Sequence, residues 1–312
     1  MSNATKTLAA IFAVLLVVTV LVEWTRSPSS SEALRAELIS FDSTQVDKVV
    51  IERPADDQPT VLAKEGGSWQ VSQEGTSETY PASATSIQQS LSKLNKMRIK
   101  AVVTRNTEKY PRFKVDSTGT RVTVYEGGDP VGSIILGAPQ FVSRREFNSY
   151  VRPADGEEVY SVDGFITSEF NTSWDNWRKK TVWDINRGEV QQIRFNYPAD
   201  SSFTMEQAGP NAWVSGGDTL KAGSWGTILD KMSRLRASGF NDALMPESFG
   251  EPLYTITIQQ TNGMERKVEL KPSEENDRNY IARASDFPYI FTLRKGTWDS
   301  SVLKNRQSLL KK

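Results

Sequence analysis

Apolar positions recur along this chain in a pattern that is written twice. Val46, Val49, Ile51, Thr60 and Trp69, with the turn Pro54-Ala55-Asp56, reappear 144 positions on as Val190, Ile193, Phe195, Thr204 and Trp213, with the turn Pro198-Ala199-Asp200. Short apolar runs broken by turn residues such as Pro59 and Gly66-Gly67 predict strands. Ile87, Leu91, Leu94 and Met97 then fall at spacings of four, three and three, which predicts one face of a helix, entered through Tyr80-Pro81 and capped by Ser83. Val122, Val124 and Tyr125 meet Ile134, Ile135 and Leu136 across Gly127-Gly128-Asp129, the composition of a hairpin. A second pair joins Tyr150-Val151 to Val159, Tyr160 and Val162. Phe165, Ile166, Phe170, Trp174 and Trp177 close this stretch at mostly helical spacings.

The second copy keeps the order while its offset shrinks. It is 141 at Ile228, Met232 and Leu235, then 134 at Ile256, Ile258, Val268 and Leu270. It becomes 130 at Tyr280 and Ile281, and 131 at Ile290, Phe291 and Leu293. Each change falls in a loop, as when strands and helix share a constrained core. Strand runs around one helix, joined by hairpins, predict an α+β fold with largely antiparallel sheets. The expected organisation is an N-terminal transmembrane helix followed by two tandem repeated α+β domains, at 41–182 and 183–312. Trp69 and Trp213 are expected to anchor the two cores. The cluster from Trp174 to Lys180 has no clear counterpart in the second copy.

Leu8 to Val22 is apolar without a charge and, with Thr7 and Trp24 as interfacial ends, is just long enough to span a bilayer. The exit Glu23-Trp24-Thr25-Arg26 suits a stable boundary better than a small-x-small cleavage site, so residues 1–26 read as an uncleaved anchor; a cleaved signal is the alternative. Residues 27–40 read as a linker. Lys6 favours a cytoplasmic start, giving a single-pass bacterial inner-membrane protein whose bulk is periplasmic or otherwise extracytoplasmic.

Composition narrows the chemistry. Lys plus Arg and Asp plus Glu each number 38, so no global field attracts nucleic acid, and no nucleic-acid partner is expected. The chain has no cysteine and no histidine. Thiol nucleophiles, thiolate and imidazole metal sites, and Ser-His-Asp or Cys-His catalysis are therefore excluded. No P-loop and no Gly-x-Gly-x-x-Gly motif occurs, and no cofactor, metal or catalytic residue is assigned.

Two clusters are candidates for binding. Gly137 to Phe147 carries Phe141, Arg144, Arg145 and Phe147, the residue types enriched at interface hot spots; the alternative is a solvated loop whose phenylalanines pack on their own domain. Trp174, Trp177 and Arg178 could stack on a glycan or pair with phosphate, or pack an inter-domain hinge. The acidic pairs Asp56-Asp57 and Glu157-Glu158 fall in turns and read as solvated surface.

The apolar amino-terminal span, Val46-x-x-Val49, Trp69, Tyr80-Pro81-Ala82, Ile134-Ile135-Leu136-Gly137, Tyr150-Val151-Arg152 and Val159-Tyr160 together resemble a bacterial family known as domain of unknown function 4340. The resemblance covers nearly all of the extracytoplasmic part. It implies an accessory envelope protein encoded beside ABC-type transport systems related to gliding-motility components, with an ABC permease or an associated envelope subunit as partner. The expected function is a membrane-anchored, non-enzymatic binding or scaffold protein. A cell-wall or polysaccharide binder using Trp174, Trp177 and Arg178 is the alternative, and a carboxylate-dependent glycosidase or lyase is a third.

Overall fold

A computed structural model describes residues 37–143 and 146–311. The expected anchor at residues 8–22, and Arg144 and Arg145, lie outside the described residues. Among the described residues, no helix is long and apolar enough to cross a membrane. The chain divides into two units. Unit 1 holds residues 37–67, Ser72–Glu78 and Thr85–Thr172; unit 2 holds Ser68–Val71, Thr79–Ala84 and residues 173–311.

Among the described residues, the regular structure is mostly antiparallel sheet with few helices. Its first stretch runs β1 (Val46–Glu52), β2 (Thr60–Glu65), β3 (Ser68–Gln73), β4 (Tyr80–Pro81), α1 (Ala84–Asn95), β5 (Ile99–Thr104), α2 (Tyr110–Phe113), β6 (Thr120–Glu126), β7 (Asp129–Phe141), β8 (Phe147–Pro153), β9 (Val159–Asp163) and α3 (Ile166–Phe170). A 3-10 turn, Trp174–Trp177, and β10 (Thr181–Asp184) follow. The remainder runs β11 (Val190–Asn196), β12 (Phe203–Gly209), β13 (Ala212–Ser215), β14 (Asp218–Thr219), α4 (Ala222–Ser233), β15 (Arg234–Arg236), β16 (Gly239–Phe240), β17 (Tyr254–Gln260), β18 (Glu265–Pro272), β19 (Asn279–Ala284), β20 (Phe287–Arg294), α5 (Lys295–Ser301) and α6 (Arg306–Leu309).

One nine-stranded sheet is ordered β4-β3-β2-β1-β6-β7-β8-β9-β5, and the other β14-β13-β12-β11-β17-β18-β19-β20-β16. Strand for strand, the two orders coincide. They also share an irregularity. The register of β1 on β6 shifts between Val46 and Lys48, and that of β11 on β17 shifts between Val190 and Gln192. A strand alternates faces with a period of two, yet Val46 and Val49 are both buried, as are Val190 and Ile193. The bulge explains the spacing of three, because its extra residue flips the side-chain parity.

Several expected correspondences move once the ladders are read. In the first sheet Thr60 faces Ile51, whereas in the second Phe203 faces Phe195 and Thr204 faces Arg194. The offset is therefore 143 along β2. It returns to 144 at Trp69 and Trp213 because β12 bulges between Gln207 and Gly209. The two helices begin at Ala84 and Ala222, 138 apart rather than 141. At that offset Ile87, Ser90, Leu91 and Leu94 match Trp225, Ile228, Leu229 and Met232, and all eight are buried. Met97 and Leu235 lie beyond the helix ends. Val151 faces Leu136, and Ala282 faces Leu270, so β8 and β19 are offset by 131 instead of 130.

The expected closing helix is broken into α3 and the 3-10 turn. That turn does have a counterpart. The amide N–H of Ser83 donates to the Trp177 carbonyl (2.8 Å) and that of Lys179 to the Pro81 carbonyl (2.7 Å). Likewise Lys221 donates to Leu309 (2.8 Å) and Lys311 to Thr219 (3.0 Å). Isolated bridges join Ala82 to Arg178 and Leu220 to Leu310. Arg306 to Leu310 thus occupies the place of Trp174 to Arg178.

The core of unit 2 gathers Phe195, Met205, Trp213, Ile228, Ile258, Leu270 and Phe291, with the Trp213 ring 6.0 Å from that of Trp225. In unit 1, Ile51, Leu62, Leu91, Val122 and Leu136 are buried, each contributing about 1.5–3 kcal/mol by leaving water. Leu38 and Ile39, expected in the linker, are buried too. Ile39 is accommodated by Gly132, where an added Cβ would stand 2.7 Å from its Cγ1. The neighbouring Phe41 is fixed by Asn95, whose Nδ2 donates to the Phe41 carbonyl at 3.0 Å.

Candidate functional site

In unit 1 the β7–β8 hairpin continues past the point at which its counterpart in the second sheet stops. After a register shift between Leu136 and Pro139, the ladder runs on through Pro139 facing Ser149, Gln140 facing Asn148 and Phe141 facing Phe147. The β18–β19 ladder ends where Pro272 faces Tyr280. The amide N–H groups of Val142 and Ser143 both donate to the Glu146 carbonyl, at 3.1 and 3.2 Å, and close the tip.

Three phenylalanines meet there. Phe147 and Phe165 stack with centroids 4.3 Å apart, and Phe141 stands edge-on 5.7 Å from each. The platform is half-buried, but Phe141 is 71% exposed and Val142 49% exposed. Phe147 packs on its own unit, whereas Phe141 presents an apolar edge to solvent. Such a ring gains by burial against a partner, because apolar area returned from water is favourable.

The Trp174, Trp177 and Arg178 cluster, within unit 2, is arranged otherwise. The Arg178 guanidinium carbon lies 3.8 Å from the Tyr80 ring centroid and 3.6 Å from that of Phe240, with Tyr289 at 5.2 Å and Trp174 at 5.7 Å. Its Nη1 donates to Asp242 Oδ2 at 2.6 Å, and its buried Nη2 has no hydrogen-bond partner among the described residues. Arg178 is 2% exposed and Trp177 3% exposed. The expectation that Trp177 and Arg178 form an exposed stacking surface is therefore corrected. The guanidinium faces are already occupied by rings, the geometry of a buried cation–π contact. Of the three, only Trp174 is half-open, tilted against Tyr80 at 5.5 Å.

Electrostatics mark a second region of unit 2. Burial holds the Lys180 ammonium below its usual pKa, and the nearby charges of Arg178, Arg236 and Arg294 push the same way, against Asp175. Burial raises the Tyr280 hydroxyl, which donates to Asp299 at 2.6 Å. The turn acids are partly committed: Asp56 pairs with Arg53, and Glu158 pairs with Arg105 at 2.6 Å. Among the described residues, no group of three or more acidic side chains could hold a metal ion.

The sequence profile of a family described as Domain of unknown function (DUF4340) matches residues 69–252. The chain belongs to this family. The family match opens at Trp69 on β3 and closes at Pro252, just before β17, so it includes both the Phe141–Phe147 hairpin tip and Trp174, Trp177 and Arg178. No curated protein and no solved structure matches the chain.

Proposed function

We propose that this DUF4340 chain is a membrane-anchored, extracytoplasmic, non-enzymatic binding or scaffold protein. In this reading two tandem repeated α+β domains follow a single transmembrane helix at residues 8–22, and the partner is an ABC permease or an associated envelope subunit. The supporting observation is Phe141, a large aromatic side chain 71% exposed at the tip of a hairpin longer than its counterpart. Arg144 and Arg145 adjoin it in the sequence and add the cationic chemistry of interface hot spots. The polysaccharide alternative draws no comparable support, because Trp177 and Arg178 are interior.

Co-purification of the tagged full chain from native membranes tests this reading. Recovery of a permease or envelope subunit, lost in Phe141→Ser, is expected. Repeated recovery of the chain without any transporter component would overturn it.

A further inference from the structure

Two clefts occupy corresponding places, one in each unit. In unit 1 a cleft of about 430 Å³ is lined by Lys93, Lys96, Met97 and Arg98 together with Asp163 and Glu169. In unit 2 one of about 190 Å³ is lined by Lys231, Arg234, Leu235, Arg236 and Arg294, with the Trp298 indole. The helix offset of 138 carries Lys93, Lys96, Met97 and Arg98 onto Lys231, Arg234, Leu235 and Arg236. The ladder places Asp163 opposite Asn148 and Arg294 opposite Asn279, so those two correspond as well.

The charge balance differs. The first cleft sets three cations against two carboxylates, and Lys93 is already paired with Glu169 at 2.6 Å. The second carries four cations and no carboxylate in its lining. Strand alternation explains its shape. On β15, Leu235 faces Trp183 and is buried, while Arg234 and Arg236 turn outward. Lys231 comes from the last turn of α4 and Arg294 from the end of β20. Among the described residues, the nearest ion pair is Arg234 with Asp184, at 3.7 Å and highly exposed on both sides, and Arg236 reaches the Thr181 hydroxyl at 3.4 Å. Lys231, Arg236 and Arg294 have no carboxylate partner among the described residues. In a chain of zero formal net charge, such a local excess is repulsive unless an anion joins it.

We infer that the cleft of unit 2 binds a phosphoryl anion, and that the cleft of unit 1, with Asp163 in the place of Arg294, does not. Arginine forks match phosphate oxygens two at a time, and three of the four cations are arginines. Leu235 and Trp298 floor the cleft and exclude water from one side of the bound group. The anion is either phosphate free in solution or the headgroup of an anionic phospholipid. This assignment is independent of the hairpin-tip contact and stands if that contact fails.

The full chain in neutral detergent micelles is titrated at fixed ionic strength with inorganic phosphate, following tryptophan fluorescence and binding heat. A second titration uses micelles doped with phosphatidylglycerol. Saturable phosphate binding assigns the free anion, and a saturable response to phosphatidylglycerol alone assigns the headgroup. Either is expected to weaken about tenfold in Arg236→Gln and in Lys231→Gln, the loss typical of one charged hydrogen bond. Arg294→Asp, which copies the first cleft, is expected to abolish it, and Asp163→Arg to create a second site. Retained circular dichroism and melting temperature show that each exposed variant is folded. No saturation by either probe overturns the inference, as does equal weakening in Arg121→Gln, far along the chain in an exposed ion pair.

Discussion

The two nine-stranded sheets hold an arginine at one ladder position and anchor it differently. Arg152 on β8 faces Ile135, sets its guanidinium carbon 4.5 Å from the Tyr110 ring centroid, and donates to the carbonyls of Val115 (3.0 Å) and Gly156 (2.8 Å). Arg283 on β19 faces Glu269, sits 5.0 Å from the Phe249 ring centroid, and donates to the Glu269 carboxylate (2.5 Å) and the Pro246 carbonyl (3.1 Å). In both, an arginine clamps the aromatic segment that precedes the central strand β6 or β17. One clamp uses neutral backbone acceptors, and the other brings in an ionisable group. The shared scaffold thus fixes where a charge sits, while the acceptor chosen decides whether that place responds to pH.

The strongest way to break the pairing of the sheets is through its tryptophans. Trp213 is 1% exposed and Trp69 6% exposed, at matching positions of β13 and β3. Truncation to alanine is expected to cost about 3–5 kcal/mol at either site, measured by urea unfolding. A cost below about 1 kcal/mol at Trp69 alone would show that the two positions do not serve the same purpose. Next comes the strap formed by Trp174 to Arg178, bridged to Ala82. Asp242→Asn leaves the buried Arg178 cation without its carboxylate and is expected to cost about 2–3 kcal/mol. Arg178→Leu, which installs the residue type found at the matching Leu310, removes that cation and is expected to cost less, about 1 kcal/mol. The reverse order would mean that Arg178 holds the strap through Tyr80 and Phe240 rather than through Asp242.

The clamps differ in pH response. Burial acts to raise the Glu269 pKa, but hydrogen bonds and charge from Lys267 and Arg283 outweigh it and hold it below its ordinary value. A carboxyl depressed in the folded state stabilises above its unfolded pKa, and that contribution fades as pH falls through the folded value. Glu269→Gln is expected to cost about 1–2 kcal/mol at neutral pH, with the gap to the parent chain closing under acid. An unchanging gap in acid unfolding curves would remove the carboxylate from the account. Arg152→Gln removes a charge that only adds to the hold of Thr118 on the nearby Asp116 carboxylate, and its cost is expected to vary less over the same range.

Much of this fold is legible in the sequence because buried strands leave a strong apolar trace. The runs holding Val49, Ile51, Val122 and Ile134 predict strands that do form, and the turns predict both hairpins. What misleads is compensation. A loop one residue shorter before Phe203 and a bulge between Gln207 and Gly209 cancel, so an ungapped match hides a shifted β12. Helix-like spacing carries Met97 and Leu235 into helices that end before them. The strap formed by Arg306 to Leu310 escapes sequence reasoning because its link to Trp174 to Arg178 lies in backbone bonds, which leave no side-chain signature. At the candidate sites, exposure decides the outcome: Phe141 and Arg178 read alike as aromatic and basic interface chemistry, and only packing separates them. The cationic clefts do have a trace, since Lys93, Lys96 and Arg98 share their spacing with Lys231, Arg234 and Arg236. Charges on a solvated surface ordinarily carry no such meaning.

The smallest effect on stability tests the largest difference between the sheets. The extra ladder from Gln140 to Phe141 adds strand beyond the common core, and its outermost ring contributes little folding energy while 71% exposed. Phe141→Ser is accordingly expected to change stability by no more than about 0.5 kcal/mol. Phe147→Ser should cost more, because it removes half of a stack with Phe165 at 4.3 Å. If unfolding shows both substitutions to be equally costly, Phe141 is part of the packing and the long hairpin is a structural brace. If Phe141→Ser is silent in unfolding yet abolishes co-purification, the hairpin is longer than its counterpart because its tip is used outside the fold.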